Sequence, residues 1–131
     1  MILDKYDCTK DKVQLYFDHY LDSILISLGF KLSNSGTKYI KEIIKLLYFE
    51  SIDLNLSKIY LRLARSHQIK SSRICSEIKY SINVVDYSCL KLNFKRIFGF
   101  DFVPSYVTSK ELIYLIYNKV LRDEIESKNK K

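Results

Sequence analysis

Ile74, Ile78, Ile82 and Val85 recur at steps of four, four and three residues. A helix brings such positions onto one side, because about 3.6 residues make a turn. Just upstream, Leu56, Ile59 and Leu63 share a face in the same way, and Ala64 is small enough to let a partner helix approach closely. Between these two runs, Ser66 to Lys70 is short and polar. The stretch therefore reads as a helix from Ser57 to Arg65, a turn, and a second helix from Ser71 to Val85 whose isoleucine stripe faces inward.

The same periodicity runs through the rest of the chain. Thr9 is placed to cap a helix with Asp11 in its first turn. Val13, Tyr16, Phe17, Tyr20, Leu21, Ile24, Leu25 and Leu28 then follow at three- and four-residue steps up to Gly29, a natural helix stop. Core packing is the first reading of this aromatic-rich stripe; a ligand pocket or a dimer seam is the second. Residues 30–36 form a loop rich in Ser and Asn. Ile40, Ile43, Ile44, Leu47 and Tyr48 mark the next helix, with Lys38, Lys41 and Lys45 on another face. Asp53 and Asn55 mark a short connection. Leu90, Phe94, Ile97 and Phe98 make a short helix ended by Gly99, and residues 101–107 make a loop holding Pro104. Thr108 to Glu111 matches a capping box. In the last helix Leu112, Leu115, Ile116 and Val120 are expected inward. With three Gly and one Pro in 131 residues, a turn-rich β-sandwich or barrel is disfavoured. The expectation is an all-α fold: about six helices in a compact bundle around a helix-turn-helix. Residues 1–131 read as one domain, with an extra N-terminal helical segment at about 9–20 and a frayed tail at 126–131.

Opposite the isoleucines, the second helix carries Ser72, Arg73, Ser76, Lys79, Tyr80 and Asn83. Arg pairs bidentately with guanine, Asn with adenine, and Ser or Lys holds phosphates. A helix lying in the major groove of DNA needs such a surface. The plainer reading is a helical hairpin with a solvated polar face. Charge bears on the choice. The chain carries a net charge of +7, which suits nucleic acid or an anionic membrane surface. Residues 1–30 hold three Lys against five Asp, whereas residues 31–82 hold ten Lys and Arg against Glu42, Glu50, Asp53 and Glu77. The surplus is concentrated around the helix-turn-helix and the helix before it. Six residues are thus expected at DNA bases (Arg73, Ser72, Ser76, Lys79, Tyr80 and Asn83). Lys58, Arg65 and Lys70 are expected at phosphates.

Other classes of function find little purchase. Cys8, Cys75 and Cys89 are an odd, sparse set without a CxxC pattern, which fits a reducing cytosol rather than a disulfide framework. Asp4, Asp7 and Asp11 interrupt any signal-peptide pattern, and no apolar run approaches the roughly 18 residues needed to span a bilayer. His19 and His67 are the two histidines, and neither joins a cysteine in a metal-ligand spacing. His67 is expected to contact phosphate or lie solvated in the turn. Cys75 reads as a small space-filling residue before it reads as a redox switch. No phosphate-binding glycine loop, nucleophile elbow or paired-carboxylate motif is present. The expectation is a cytoplasmic protein that is not an enzyme and takes no metal or cofactor.

Several segments, in this order and spacing, resemble the C-terminal DNA-binding effector domain of the master sporulation response regulator of endospore-forming bacteria. Leu28, Gly29 and Phe30, with Gly36 seven residues after Gly29 and then Tyr39 to Ile44, resemble that family's first turn and second helix. Ser57 to Tyr60 with Leu63 and Ala64 resemble the first helix of its helix-turn-helix. Ser72, Arg73 and Ile74 resemble the start of its recognition helix. Phe98 to Phe100, and Thr108 to Ile113, resemble its last two helices. The resemblance covers roughly residues 21–121. It implies a sequence-specific, double-stranded-DNA-binding transcription regulator. A homodimer on DNA and a contact with RNA polymerase are further expectations, and no membrane partner is expected. Two bound copies would sit about one helical turn apart, roughly 10 bp.

This chain departs from the family where bases are read. The family's Glu-Arg pair following the Ser-Arg is Cys75 and Ser76 here, its next Arg is Lys79 and its His is Tyr80. Arg73 is the one strong base-reading side chain that carries over unchanged, so the DNA sequence read is expected to differ. The Pro before the final helix is Val107, a change expected to matter only for local stiffness. Residues 1–20 are too few for the family's phosphorylated receiver domain, so no phosphorelay control is expected: binding is constitutive, or governed by abundance, a partner or the N-terminal helix, with residues 13–21 as a dimer contact. The rival reading is an interaction module of the same fold that binds a transcription factor or RNA polymerase and no longer reads DNA. Such a module would expose an apolar patch around Tyr80, Tyr87 and Cys75. A membrane-surface helix ranks behind both.

Overall fold

The computed structural model describes residues 16–102 and 107–129, with side chains described as far as Asp123. Six helices account for most of it: α1, whose described part covers residues 16–27, α2 (Ser35–Glu50), α3 (Leu56–His67), α4 (Ser71–Asn83), α5 (Tyr87–Phe98) and α6 (Ser109–Asn129). There is no strand among the described residues. The all-α expectation holds, with six helices and the α3–turn–α4 hairpin in the expected place.

One apolar core joins all six helices. Leu21, Leu25 and Leu28 enter it from α1 and its C-terminal turn, and Ile40, Ile43, Ile44 and Leu47 enter from α2. Ile59 and Leu63 come from α3, Ile74 and Ile78 from α4, Leu90 and Phe94 from α5, and Leu112, Ile113, Ile116 and Val120 from α6. Helix α4 lies against α2, α3 and α6, so the helix carrying the polar face is held on its other side by the centre of the molecule. Phe94 is fully buried and meets the rings of Phe98, Phe100 and Phe102 at centroid distances of 4.7, 5.2 and 5.1 Å.

The aromatic residues of α1 serve packing. Phe17 and Leu21 are buried, and Phe17 meets Tyr48 and Phe49 of α2 with centroids 4.5 and 5.1 Å away. Tyr16 is the exposed aromatic of this segment. The expected helix start at Thr9, and residues 9–15 of the expected N-terminal segment and dimer contact, lie outside the described residues. Asp18 and Asp22 pair with Lys45 and Lys41 at 2.8 and 2.6 Å, which locks the rotation of α1 against α2.

Several helix ends differ from expectation for local reasons. Helix α2 starts at Ser35, so Gly36 is helical rather than part of the loop. Helix α3 runs to His67, and Gln68 closes it in the left-handed region (φ 58°), leaving Ile69 and Lys70 to turn the chain. Helix α4 ends at Asn83, two residues short of the expected Val85. Asp86 caps α5 there, accepting from the backbone N–H of Ser88 and Cys89, so the chain must leave α4 first. In α6, Ile113 is fully buried while Leu115 is only partly covered. Residues 112, 113, 116 and 120 form the tighter stripe. Helix α6 continues to Asn129; residues 130 and 131 of the expected frayed tail lie outside the described residues. No Gly or Pro interrupts the helix, and Lys119 pairs with Asp123 one turn on. Half of the capping box is present: Thr108 Oγ1 accepts from the Glu111 N–H at 3.2 Å, while the Glu111 carboxylate accepts from the Thr108 hydroxyl at 3.3 Å rather than from its backbone N–H. No helix among the described residues is long and apolar enough to cross a membrane.

Candidate nucleic-acid interface

Ser72, Arg73, Ser76, Lys79, Tyr80 and Asn83 are all exposed on one side of α4. Ile74, Ile78 and Ser81 are buried on the other side, with Ile82 and Val85 partly covered. The division follows from helical spacing: 72, 76, 79 and 83 stack along one row, with 73 and 80 beside it. Ser81 is the unexpected member of the inner face. Its hydroxyl donates to the Ile78 carbonyl at 2.9 Å, which satisfies it without a partner from another helix.

The α2–α4 crossing sets how far this face stands out. Gly36 is buried against α4, and a Cβ built on it would collide with the backbone carbonyl of Glu77 and come within 2.6 Å of Ser81 Oγ. A bare backbone is what lets α2 lie so close to α4.

Lys58, Arg65 and Lys70 are exposed on α3 and the turn. The structure sorts the cations of residues 31–82 into two groups. Lys41, Lys45, Arg62 and Arg73 each have a carboxylate partner. Arg62 is held by both Glu50 oxygens at 2.8 Å, tying α3 to the end of α2. Lys31, Lys38, Lys58, Arg65, Lys70 and Lys79 have no ion pair among the described residues. Four of these six lie on α3, α4 and the turn between them; Lys31 and Lys38 lie before and within the first turn of α2.

Helix α4 also opens differently from its neighbours. Asn55 caps α3 and Asp86 caps α5. At α4 the N-cap is Lys70, with no side-chain hydrogen bond and no acidic residue in the first turn. A cation sits where the helix dipole favours an anion.

Glu77 lies outside the polar-face pattern, although its four-residue spacing from Arg73 is visible in the sequence. Its Oε1 accepts from Arg73 Nε at 3.3 Å. The Tyr39 hydroxyl is held above the ordinary tyrosine value, first by burial and then by the charge of the Glu77 carboxylate. His67 is engaged by protein: its Nε2 lies 2.9 and 3.0 Å from the two Glu42 carboxylate oxygens, and its ring meets that of Tyr39 edge-on. It brackets the end of α3 onto α2.

Cys75 is a free thiol, half-buried rather than on the outer face. It lies near Tyr60 of α3, whose hydroxyl is pushed up to about 12, chiefly by burial and then by the Cys75 charge. Because the folded state keeps this phenol protonated longer than the unfolded chain, its contribution to stability is complete below pH 10 and is lost between pH 10 and about 12. Tyr60→Phe is accordingly expected to lose stability less steeply across that window, as measured by urea unfolding at successive pH values. Parallel slopes for the two proteins would contradict the burial of this hydroxyl.

No family model matches the chain, and comparisons with curated proteins and with solved structures find no match either.

Proposed function

We infer that the protein binds double-stranded DNA sequence-specifically as a transcription regulator, with α4 in the major groove. The observation that carries this is the coincidence of two patterns on the adjoining helices α3 and α4. The six polar side chains capable of reading base edges share the outer face of α4. Lys58, Arg65 and Lys70, exposed and without an ion pair, lie on α3 and the turn that leads into α4. Arg73 reads a guanine through N7 and O6, and Ser72, Ser76, Lys79, Tyr80 and Asn83 add base or phosphate contacts. Lys58, Arg65 and Lys70 hold the backbone on either side and set the register. A phosphate at the start of α4 supplies the anion that the Lys70 N-cap lacks. The sporulation-regulator resemblance points to the same use of the same helix.

An interaction module remains the second reading, favoured by the exposure of Tyr80 and Tyr87. Against it, Cys75, the third member of the expected apolar patch, is half-buried. A homodimer with half-sites about 10 bp apart and a contact with RNA polymerase are extensions of the DNA-binding reading.

Salt dependence tests the proposal. Duplex binding followed by fluorescence anisotropy should weaken steeply between about 50 and 200 mM salt. Lys58→Gln, Arg65→Gln and Lys70→Gln should each lower the slope of log affinity against log salt by about 1, and should weaken all duplexes alike. A flat salt profile, or slopes unchanged in the variants, would leave the interaction module as the better reading.

A further inference from the structure

We propose that Glu77 is a positioning residue: it fixes the guanidinium of Arg73 for one base and thereby sets the sequence specificity of α4. The proposal rests on the DNA-binding reading above and adds a residue that neither the polar-face pattern nor the family resemblance supplies.

The geometry is as follows. Glu77 stands one turn beyond Arg73 and accepts a hydrogen bond from its Nε at 3.3 Å. The side chains differ in access, with 64% of the arginine exposed and 26% of the glutamate. The carboxylate is therefore the seated partner and the arginine the projecting one. A guanidinium has five N–H donors in one plane. Anchoring Nε orients that plane, and the four N–H of the terminal nitrogens stay available for guanine O6 and N7.

Glu77 is itself well seated. Its backbone carbonyl lies against Gly36 of α2, and its carboxylate is close enough to Tyr39 to raise that hydroxyl's titration. The backbone that carries the anchor is thus fixed by the α2–α4 contact. A free arginine samples many rotamers, and holding one of them limits the entropy lost on binding.

Two other roles for Glu77 fit less well. As a structural ion pair it would contribute little, since Arg73 is mostly in water. As a phosphate-facing group it would repel DNA. A carboxylate retained on a basic face is explained by what it does to the arginine beside it.

The test is a binding-site selection from random duplex DNA with wild type, Arg73→Ala, Glu77→Gln and the double variant, each first shown to melt cooperatively. Glu77→Gln keeps the shape and removes the charge. Expected is a loss of about tenfold in preference at the single position that Arg73→Ala also blurs, with the remaining positions intact. The double variant should be no worse than Arg73→Ala alone, because an anchor without its arginine has nothing to position. Binding to random duplex should be unchanged or tighter for Glu77→Gln.

An unchanged Glu77→Gln profile would overturn the proposal and leave the DNA-binding reading standing. So would a loss confined to a cytosine at a neighbouring position, which would make Glu77 a direct reader. Equal weakening at every position in both backgrounds would make it merely structural. Failure of wild type to select any motif would remove the underlying reading, and this proposal with it.

Discussion

Gly36→Ala should destabilise the protein by about 3 kcal/mol or more, read as a lower urea midpoint at an unchanged slope. In an exposed helix interior the same substitution would stabilise by about 1 kcal/mol, because alanine is the better helix former. Here the added methyl would meet the Glu77 carbonyl and Ser81 Oγ. A backbone carbonyl cannot rotate away as a flexible side chain can, so α2 and α4 must separate. Separation would loosen the packing of Ile40 and Ile43 of α2 and of Ile74 and Ile78 of α4, all fully buried. Domains of this kind are stable by only about 5–15 kcal/mol in total, so the loss would be a large share. Gly99 provides the contrast. A Cβ there meets nothing within 4 Å, but φ is +86°, and Gly99→Ala should cost only about 1–2 kcal/mol of left-handed strain. A Gly36→Ala protein as stable as wild type would refute the close α2–α4 crossing.

The second large effect is expected at Arg73. Arg73→Ala should weaken binding to the selected site by about 1–3 kcal/mol, the usual value of one bidentate base contact. Its affinity for random duplex should fall far less, since Lys58, Arg65, Lys70 and Lys79 remain to hold phosphates. The distinction matters because a lost phosphate contact weakens all sequences alike. Electrophoretic mobility shifts on the selected duplex, and on one altered at the guanine, separate the two. Loss of both affinities in equal measure would move Arg73 from the bases to the backbone.

Much of this architecture can be read from residue order because helix formation is local. Isoleucines at four-residue steps placed Ile74 and Ile78 inward, and both are fully buried. Thr108 and Glu111 announced a capped start. Gly29 and Gly99 stop their helices with φ of +92° and +86°. The exposed side of α4 follows from the same period, which is why all six candidate base contacts share it.

What escaped the sequence depends on how helices meet. Gly36 reads as a loop residue until α2 is laid on α4. Lys41 and Lys45 count as free positive charge until α1 brings Asp22 and Asp18 to them, and Arg62 of α3 is likewise taken up by Glu50 of α2. His67 looks like a turn residue until Glu42 is seen 2.9 Å away. Ile113 was passed over for Leu115 because one residue of helical phase decides between core and surface, and that phase is set by α2 and α5. Glu77 was within reach of the pattern, as an acid one turn from an arginine, but such pairs are common on solvated helices; its partial burial distinguishes this one.

Reading of DNA by α4 through Arg73 is tested most directly by selection of binding sites from random duplex DNA at near-physiological salt, with wild type and Arg73→Ala side by side. The prediction is a defined motif for wild type that loses its guanine preference at one position in the variant. No enriched motif, or the same motif for both proteins, would contradict it.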